Sequence, residues 1–194
     1  AGGEKAAAAA LRIARRKADP NSASICFPTE RAAKRFKRHF QGFDHIICTV
    51  FAKKGGTEVA IMEGDPKGRK VVIVDDVIYS GNTLIGAAQL LRSKGALWVG
   101  AYVTHGIFTH DSWKRFANGD FDQVMITDSC PEQALRLKQH GPPFEVLSLA
   151  PLIAPIVEEE AFMAYGKEQG EMGTIENASQ RILRLGEGFG RSKM

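Results

Sequence analysis

Two adjacent carboxylates, Asp75 and Asp76, follow a short apolar run in the segment VVIVDDVIYSGNT, residues 71–83. Neighbouring carboxylates are costly to desolvate unless they meet a cation or hydroxyl donors. Both Mg²⁺ and the hydroxyls of a sugar meet that need. The pair therefore predicts a site for a metal ion, for a sugar, or for both.

A turn of small and polar residues follows the acidic pair and leads into a predicted helix. Free N–H groups at a helix start and the helix dipole favour a phosphate, and a glycine lets the backbone approach that anion closely. Carboxylates for ribose hydroxyls beside such a turn predict a ribose-5-phosphate site. The alternative is an ordinary strand, turn and helix, with an Asn or Thr cap and solvated aspartates. The turn consists of Tyr79, Ser80, Gly81, Asn82 and Thr83.

The apolar run before the pair must position it. Residues 69–75, RKVVIVD, are too short for a helix and apolar on both faces, which is typical of a central strand in a parallel sheet. Ligands of such sheets bind beyond the carboxyl ends of the strands. We therefore expect Asp75 and Asp76 to lie past the end of this strand, after Val74.

The rest of the chain alternates strands with helices, which predicts a doubly wound, mostly parallel α/β sheet with flanking helices. We expect a domain over residues 25–164, a helical remnant of a preceding segment over 1–24, and a carboxy-terminal appendage over 165–194. Further strands are predicted at 23–27, 45–51, 58–62, 97–103, 123–127 and 144–147, and helices at 31–40, 84–94, 110–117, 131–139 and 152–164.

Composition sets broad limits on the partners. The 194 residues carry a net charge of +4, which suits a small anionic substrate, and no basic arm singles out nucleic acid as a partner. Three cysteines without a CxxC pair favour a reducing compartment, so we expect a cytoplasmic protein. No apolar stretch reaches the roughly 18 residues needed to span a bilayer, so no membrane partner is expected.

Several motifs together resemble a known family. VVIVDDVIYSGNT is similar to the signature of the type I phosphoribosyltransferase fold. The neighbouring motifs resemble phosphoribosyl pyrophosphate (PRPP) synthetases, nearest the plant-type class II branch, in order and spacing from about Cys26 to Ile156. These motifs are GDPKG at 64–68, AYVTHGIF at 101–108, ITDSCP at 126–131 and FEVLSLA at 144–150.

The resemblance implies a ribose-phosphate diphosphokinase of nucleotide biosynthesis, which transfers diphosphate from ATP to ribose 5-phosphate with Mg²⁺. Asp75 and Asp76 would then hold ribose hydroxyls and the metal, and the residues from Tyr79 to Thr83 would hold the 5-phosphate. The chain looks like the carboxy-terminal, ribose-phosphate-binding half of such an enzyme, so we expect a preceding ATP-binding half. The family also implies a homo-oligomer.

Departures from the family pattern keep other functions open. Val50 and Ala52 stand where the resemblance places a Lys and an Arg, and Lys53 and Lys54 are the nearest candidate catalytic cations. Thr29 also replaces an expected aspartate. These changes leave a catalytically weak, synthetase-associated regulatory subunit as the alternative. A phosphoribosyltransferase is disfavoured by the neighbouring motifs.

His105 is a further candidate, because it follows the predicted strand at 97–103 and would reach the same edge of the sheet as the acidic pair. A histidine at this edge can serve the site as an acid, a base or a ligand. It can equally be a structural residue of the turn. Both interpretations stay open from the sequence.

Overall fold

The computed structural model describes residues 23–53 and 56–158. Their strands form one sheet in the order β3-β2-β1-β4-β5-β6-β7, in which every pairing is parallel except β2 with β3. The predicted doubly wound α/β class is therefore confirmed. The strands are β1 Ala23–Phe27, β2 Asp44–Lys53, β3 Gly56–Glu63, β4 Lys70–Ile78, β5 Trp98–Gly106, β6 Gln123–Thr127 and β7 Phe144–Leu147.

Helices connect the parallel strands. The chain forms two compact units, and the boundary between them lies between Leu149 and Ala150. Residues 150–158, which follow that boundary in sequence, are helical. None of the helices in the described part of the chain is long and apolar enough to span a membrane. The predicted helix at the amino terminus and the predicted appendage lie outside the described residues. The helices are α1 Glu30–Phe36, a 3₁₀ extension Lys37–Phe40, α2 Asn82–Ser93, a 3₁₀ segment Thr109–Ala117 and α3 Pro131–His140.

The β-branched run of β4 explains its central place. Val71 to Val74 are all buried, because both faces of this strand are covered. Val71 and Ile73 pack in one cluster with Leu84 and Leu91 of α2, whereas the alternate residues face the opposite layer. The sheet is thus held between two layers, with β4 at its centre.

The expectation that β4 ends before the acidic pair is wrong. The strand continues through Asp75 and Asp76 to Ile78, because β5 pairs with it as far as Ile78 and Gly106. On the other side, β1 ends at Phe27 and leaves the last residues of β4 without a strand neighbour. The acidic pair therefore lies inside a strand that has one open flank.

The predicted α-helix at 110–117 is also wrong. Residues Thr109–Ala117 form a kinked 3₁₀ segment, and Phe108, His110 and Asp111 have φ values of 49°, 53° and 56°. Such left-handed backbone is uncommon for residues other than glycine, and it persists only where surrounding contacts impose it. Phe108, Thr109 and Ser112 bond to the end of β4 and the turn after it, and Asp111 pairs with Arg136 of α3.

The sheet reverses its winding between β1 and β4, since the chain runs from β1 outwards to β2 and β3, and from β4 outwards to β5, β6 and β7. Connections on the two sides of this point leave in opposite directions and open a crevice at the carboxyl ends of the strands. The open flank of β4 lies at this crevice.

Candidate functional site

The two aspartates are separated by the pleat of β4. Successive strand residues point to opposite faces, so Asp75 faces the α2 layer and Asp76 faces α1. Arg35 of α1 forms an ion pair with the Asp76 carboxylate. The backbone N–H of Asp76 donates to Oδ1 of Asp75 at 2.9 Å. The pair thus offers one carboxylate with a cationic partner and one held by a backbone N–H.

Burial raises the pKa of Asp75 to about 7, and the neighbouring Asp76 adds to this rise. The hydrogen bond from the Asp76 backbone and the charge of Arg35 act in the opposite direction, but they do not offset burial. A half-buried carboxyl with such a pKa is poorly compensated as an anion. A cation or a hydroxyl donor arriving at the crevice would supply the missing compensation.

The turn after β4, which we call the 79–83 loop, is fastened by the segment that follows β5. The carbonyl of Ile78 accepts N–H bonds from Ile107 and Phe108 at 3.0 and 3.2 Å. The carbonyl of Tyr79 accepts from the Thr109 N–H at 3.0 Å and from the Ser112 hydroxyl at 2.7 Å.

The next carbonyl along the loop, that of Ser80, accepts from Arg115 Nη1 at 3.1 Å. Three consecutive carbonyls of residues 78–80 are therefore directed at residues 107–115. In a trans peptide the N–H of the next residue points the opposite way. The N–H groups of Tyr79, Ser80 and Gly81 consequently face away from that segment.

The first turn of α2 adds further donors to these N–H groups. The Gly81 carbonyl accepts the first helical bond, from Ile85 N–H at 2.9 Å, and no side chain caps this helix. The early N–H groups of a helix have no partner within it, so those of Asn82 and Thr83 remain available. The alternative for this turn was a helix capped by the side chain of Asn82 or Thr83. In the described loop neither side chain caps α2, whose N-cap residue is Gly81. The loop has the features of an anion site.

Glycine is required at position 81 for two separate reasons. Its φ is +79°, in the left-handed region, and a Cβ built on it would lie 2.4 Å from Cε2 of Phe116. Such a contact forces either the ring or the loop to move. The close contact between the Gly81 backbone and the Phe116 ring therefore sets the distance between the loop and the 3₁₀ segment.

We expect Gly81→Ala to lower the free energy of unfolding by about 2 to 4 kcal/mol, since it combines left-handed backbone with an overpacked contact. Gly119→Ala is a matched control, because Gly119 has a φ of +91° but no atom within 4 Å of its added Cβ. Denaturant unfolding measures both variants. Equal losses would show that backbone conformation alone accounts for the effect at Gly81.

His105 lies at the same edge, in register with Val77 of β4. Its Nδ1 is 2.9 Å from the Ser129 hydroxyl, which donates to the Thr104 carbonyl at 2.9 Å. A hydroxyl has one hydrogen to donate, so His105 must donate from Nδ1. The His105 side chain is exposed, so its Nε2 is accessible from the solvent. A role of His105 in the site stays a prediction.

Lys53 lies far along the β2–β3 hairpin. It forms an ion pair with Glu58, with 2.6 Å between Nζ and Oε2, and its neighbour Lys54 lies outside the described residues. Through Cys26, Ile46 of β2 is level with Ile73 of β4. Asp75 is then level with residue 48, so Lys53 lies five residues, or about 16 Å, further along the strand direction. Its catalytic role stays a prediction.

The aspartates suit a magnesium ion only if the substrate shares it. No group of three or more His, Cys, Asp or Glu side chains with metal-site geometry exists among residues 23–53 and 56–158. Mg²⁺ is commonly held by one or two carboxylates together with substrate phosphates and waters. Asp75, which lacks a cationic side chain of its own, fits such a shared site.

A cavity of about 380 Å³ lies elsewhere, at the amino-terminal edge of the sheet. Asp44, Glu63, Asp65 and Arg69 contribute to its lining, and Arg69 is paired with Asp44. None of the candidate residues from Asp75 to Thr83 borders it. The position of the crevice at the carboxyl ends, rather than cavity volume, identifies the candidate site.

Two arginines in the site were missed from the sequence. Arg35 lies in a helix with several basic residues, a pattern that is typical of a solvent-exposed surface. In the structure it nevertheless pairs with Asp76, 41 residues away. Arg115 donates to Ser80, 35 residues away, and to Oδ1 of Asn82 at 2.7 Å. The only available signal for Arg115 was its place after the strand next to β4.

Several known proteins are similar to this chain in sequence. Ribose-phosphate pyrophosphokinase 3, mitochondrial, from Spinacia oleracea is 42% identical over 147 residues, which cover 72% of this chain and 36% of the spinach protein. Ribose-phosphate pyrophosphokinase 4 from Oryza sativa subsp. japonica is 39% identical over 155 residues, covering 76% of this chain and 47% of the rice protein.

Among solved structures, the phosphoribosylpyrophosphate synthetase from Mycobacterium smegmatis superposes with a TM-score of 0.58 at 28% identity, covering 76% of this chain and 47% of that one. The chain thus spans less than half the length of each of these three relatives. Residues 28–157 match the family described as the phosphoribosyl synthetase-associated domain. The chain belongs to that family, which confirms the resemblance to PRPP synthetases that its motifs carry.

Proposed function

We propose that this chain supplies the ribose-phosphate half of a ribose-phosphate diphosphokinase, which transfers diphosphate from ATP to the 1-hydroxyl of ribose 5-phosphate. The observation that carries the proposal is the 79–83 loop, which follows Asp75 on the chain. The carbonyls at its start are bonded by residues 107–115, so its backbone N–H groups face the other way. These donors would hold the 5-phosphate, and the acidic pair would hold ribose hydroxyls. The relatives named as pyrophosphokinases support the reaction class.

Mg²⁺ and ATP are part of the proposal. Magnesium would neutralise the charge that develops on the transferred phosphoryl groups. Asp75 would bind that ion jointly with substrate phosphates, and Arg35 would keep the neighbouring Asp76 carboxylate compensated. No residue of the described chain is assigned to the adenine of ATP.

Binding of ribose 5-phosphate is the first expected result. We expect a saturable isotherm in titration calorimetry at millimolar or lower ligand, and much weaker binding of ribose, which lacks the phosphate. Ser80→Ala should weaken the affinity about tenfold by removing a hydroxyl beside the phosphate. Ser93→Ala is the matched control, because Ser93 lies at the far end of α2 and donates to Leu90. No detectable binding by folded protein would contradict the proposal.

A catalytically weak, synthetase-associated subunit is the second candidate. Val50 and Ala52, where the resemblance places basic residues, lie in the paired part of the β2–β3 hairpin, opposite Val59 and Thr57. Lys53 is held by Glu58 instead of pointing freely into the crevice. Ribose 5-phosphate binding without turnover, even in the presence of a complete ATP-binding half, would favour this candidate.

We further propose a cytoplasmic homo-oligomer. Free cysteines at positions 26, 48 and 130 suit a reducing compartment, although three plant relatives carry "mitochondrial" or "chloroplastic" in their names. The family resemblance supports an oligomer. Light scattering and the location of a tagged full-length protein test these points, and a monomeric or organellar protein would contradict them.

A further inference from the structure

The strongest unassigned feature is Arg115, an exposed side chain in the 3₁₀ segment after β5. A single nitrogen, Nη1, donates both to the Ser80 carbonyl at 3.1 Å and to Oδ1 of Asn82 at 2.7 Å. The guanidinium therefore bridges the backbone of the 79–83 loop and the first residue of α2. The planar guanidinium is pre-organised, so it loses little side-chain freedom when it holds two acceptors at a defined spacing.

The contact to Ser80 determines which way one peptide plane faces. Residues 78 and 79 are fastened by N–H groups of residues 107–109 and by the Ser112 hydroxyl. Ser80 precedes Gly81, which is the N-cap residue of α2. Among the described contacts, the Ser80 carbonyl accepts a hydrogen bond from Arg115. Because Gly81 tolerates many backbone conformations, this peptide plane can rotate most easily when the arginine is removed.

We propose that Arg115 is the positioning residue of the ribose-phosphate site, acting by aiming the Gly81 N–H and the start of α2 at the 5-phosphate. This inference rests on the proposed function, since it names the residue that gives the anion site its shape. Arg115 lies on the carbonyl side of the loop, opposite the N–H groups. It therefore acts through the loop and is not itself a ligand of the phosphate.

Arg115→Met and Lys114→Met form a matched pair for the test. Both remove one exposed positive charge, but Lys114 pairs with Asp111 at 3.0 Å and contacts the Trp113 ring instead of the loop. Arg115→Met removes both hydrogen bonds, and we expect it to weaken ribose 5-phosphate binding about tenfold, because the Ser80–Gly81 peptide is then no longer held in its orientation. Lys114→Met should change the affinity less than about twofold. Equal weakening would show that net charge, rather than positioning, is responsible, and would overturn the proposal.

Arg115→Lys gives the conservative comparison. A lysine keeps the charge but lacks the planar fork, so partial rescue of the affinity is expected. A rescue as complete as the wild type would mean that charge alone suffices. No rescue, together with an unchanged melting temperature, would support the need for the bridging geometry.

A ligand-free measurement separates failure of this inference from failure of the proposed function. Backbone ¹⁵N order parameters at Ser80, Gly81 and Asn82 should fall in Arg115→Met and stay unchanged in Lys114→Met, with equal thermal stability. If the unmodified chain binds no ribose 5-phosphate, the proposed function fails and the order parameters still decide the positioning role. Unchanged order parameters at Gly81 in Arg115→Met would overturn that role whatever the ligand.

Discussion

We expect the 194-residue chain to bind ribose 5-phosphate and yet to release almost no AMP from Mg-ATP. Diphosphate transfer requires the donor to be held in line with the acceptor, and lost positioning costs about 7 to 11 kcal/mol of barrier. The chain spans 36% of the spinach relative and 47% of the rice relative, and none of its described residues is assigned to adenine. Chromatographic measurement of AMP tests this directly. Robust AMP formation by the 194 residues alone would contradict it.

A chimera provides the decisive comparison. The region of the spinach pyrophosphokinase that matches this chain can be replaced by this chain, which restores a complete donor half. The chimera should form AMP, which the chain alone should not, but roughly 10³ to 10⁵ times more slowly than the spinach protein, the cost of a missing Arg-type cation in phosphoryl transfer. Adding Val50→Lys and Ala52→Arg to the chimera should recover much of that rate. A fast chimera without these changes would show that Lys53 or another cation already supplies the charge.

Asp75→Asn is expected to make the protein more stable at pH 8 and nearly unchanged at pH 4. The pKa of this carboxyl is raised by burial to about 7 in the folded chain, whereas an unfolded aspartate has a pKa near 3.9. Between these values the folded state keeps a proton that the unfolded state loses. The stability that the group contributes is therefore complete below about pH 4 and is lost as the pH rises through 7. The gain at pH 8 can reach about 4 kcal/mol, because one pKa unit corresponds to 1.36 kcal/mol.

Urea unfolding of both proteins across this pH range measures the effect. Asp111→Asn is a useful control, because a hydrogen bond from Lys114 lowers the pKa of that exposed carboxyl and the dependence on pH should have the opposite sign. Mg²⁺ with ribose 5-phosphate should stabilise the wild type at pH 8 more than Asp75→Asn. Equal stability of Asp75→Asn and the wild type at pH 8 would mean that the carboxylate is already compensated in the folded chain.

Local patterns in the sequence predict the architecture well. The β-branched run before Asp75 indicates a central strand, and the small residues from Ser80 to Thr83 indicate a helix start, because both signals depend on nearby residues. The end of β4 could not be predicted in the same way. It depends on how far β5 accompanies β4, to Gly106, and that pairing joins residues 28 positions apart.

The parts of the site that sequence reasoning missed are long-range contacts. Arg35 and Arg115 contact partners that are 41 and 35 residues away in sequence. The periodicity of a helix or a strand relates only nearby residues, so it cannot predict these contacts. The left-handed residues His110 and Asp111 oppose local propensity, which explains why a regular helix was expected there. Tertiary contacts with the loop override that propensity.

The close approach of Gly81 to the Phe116 ring limits how this site can be moved between proteins. The segment from Asp75 to Thr83 is short and easily transplanted as sequence, but its shape is imposed from outside, by carbonyl contacts with residues 107–115 and by that ring. A graft of these nine residues onto another parallel sheet would carry the donors without the support that aims them. The smallest unit that carries the loop with this support is therefore β4, α2, β5 and the 3₁₀ segment together, residues 70–117, and the partner of Asp76, Arg35 of α1, would have to be supplied as well.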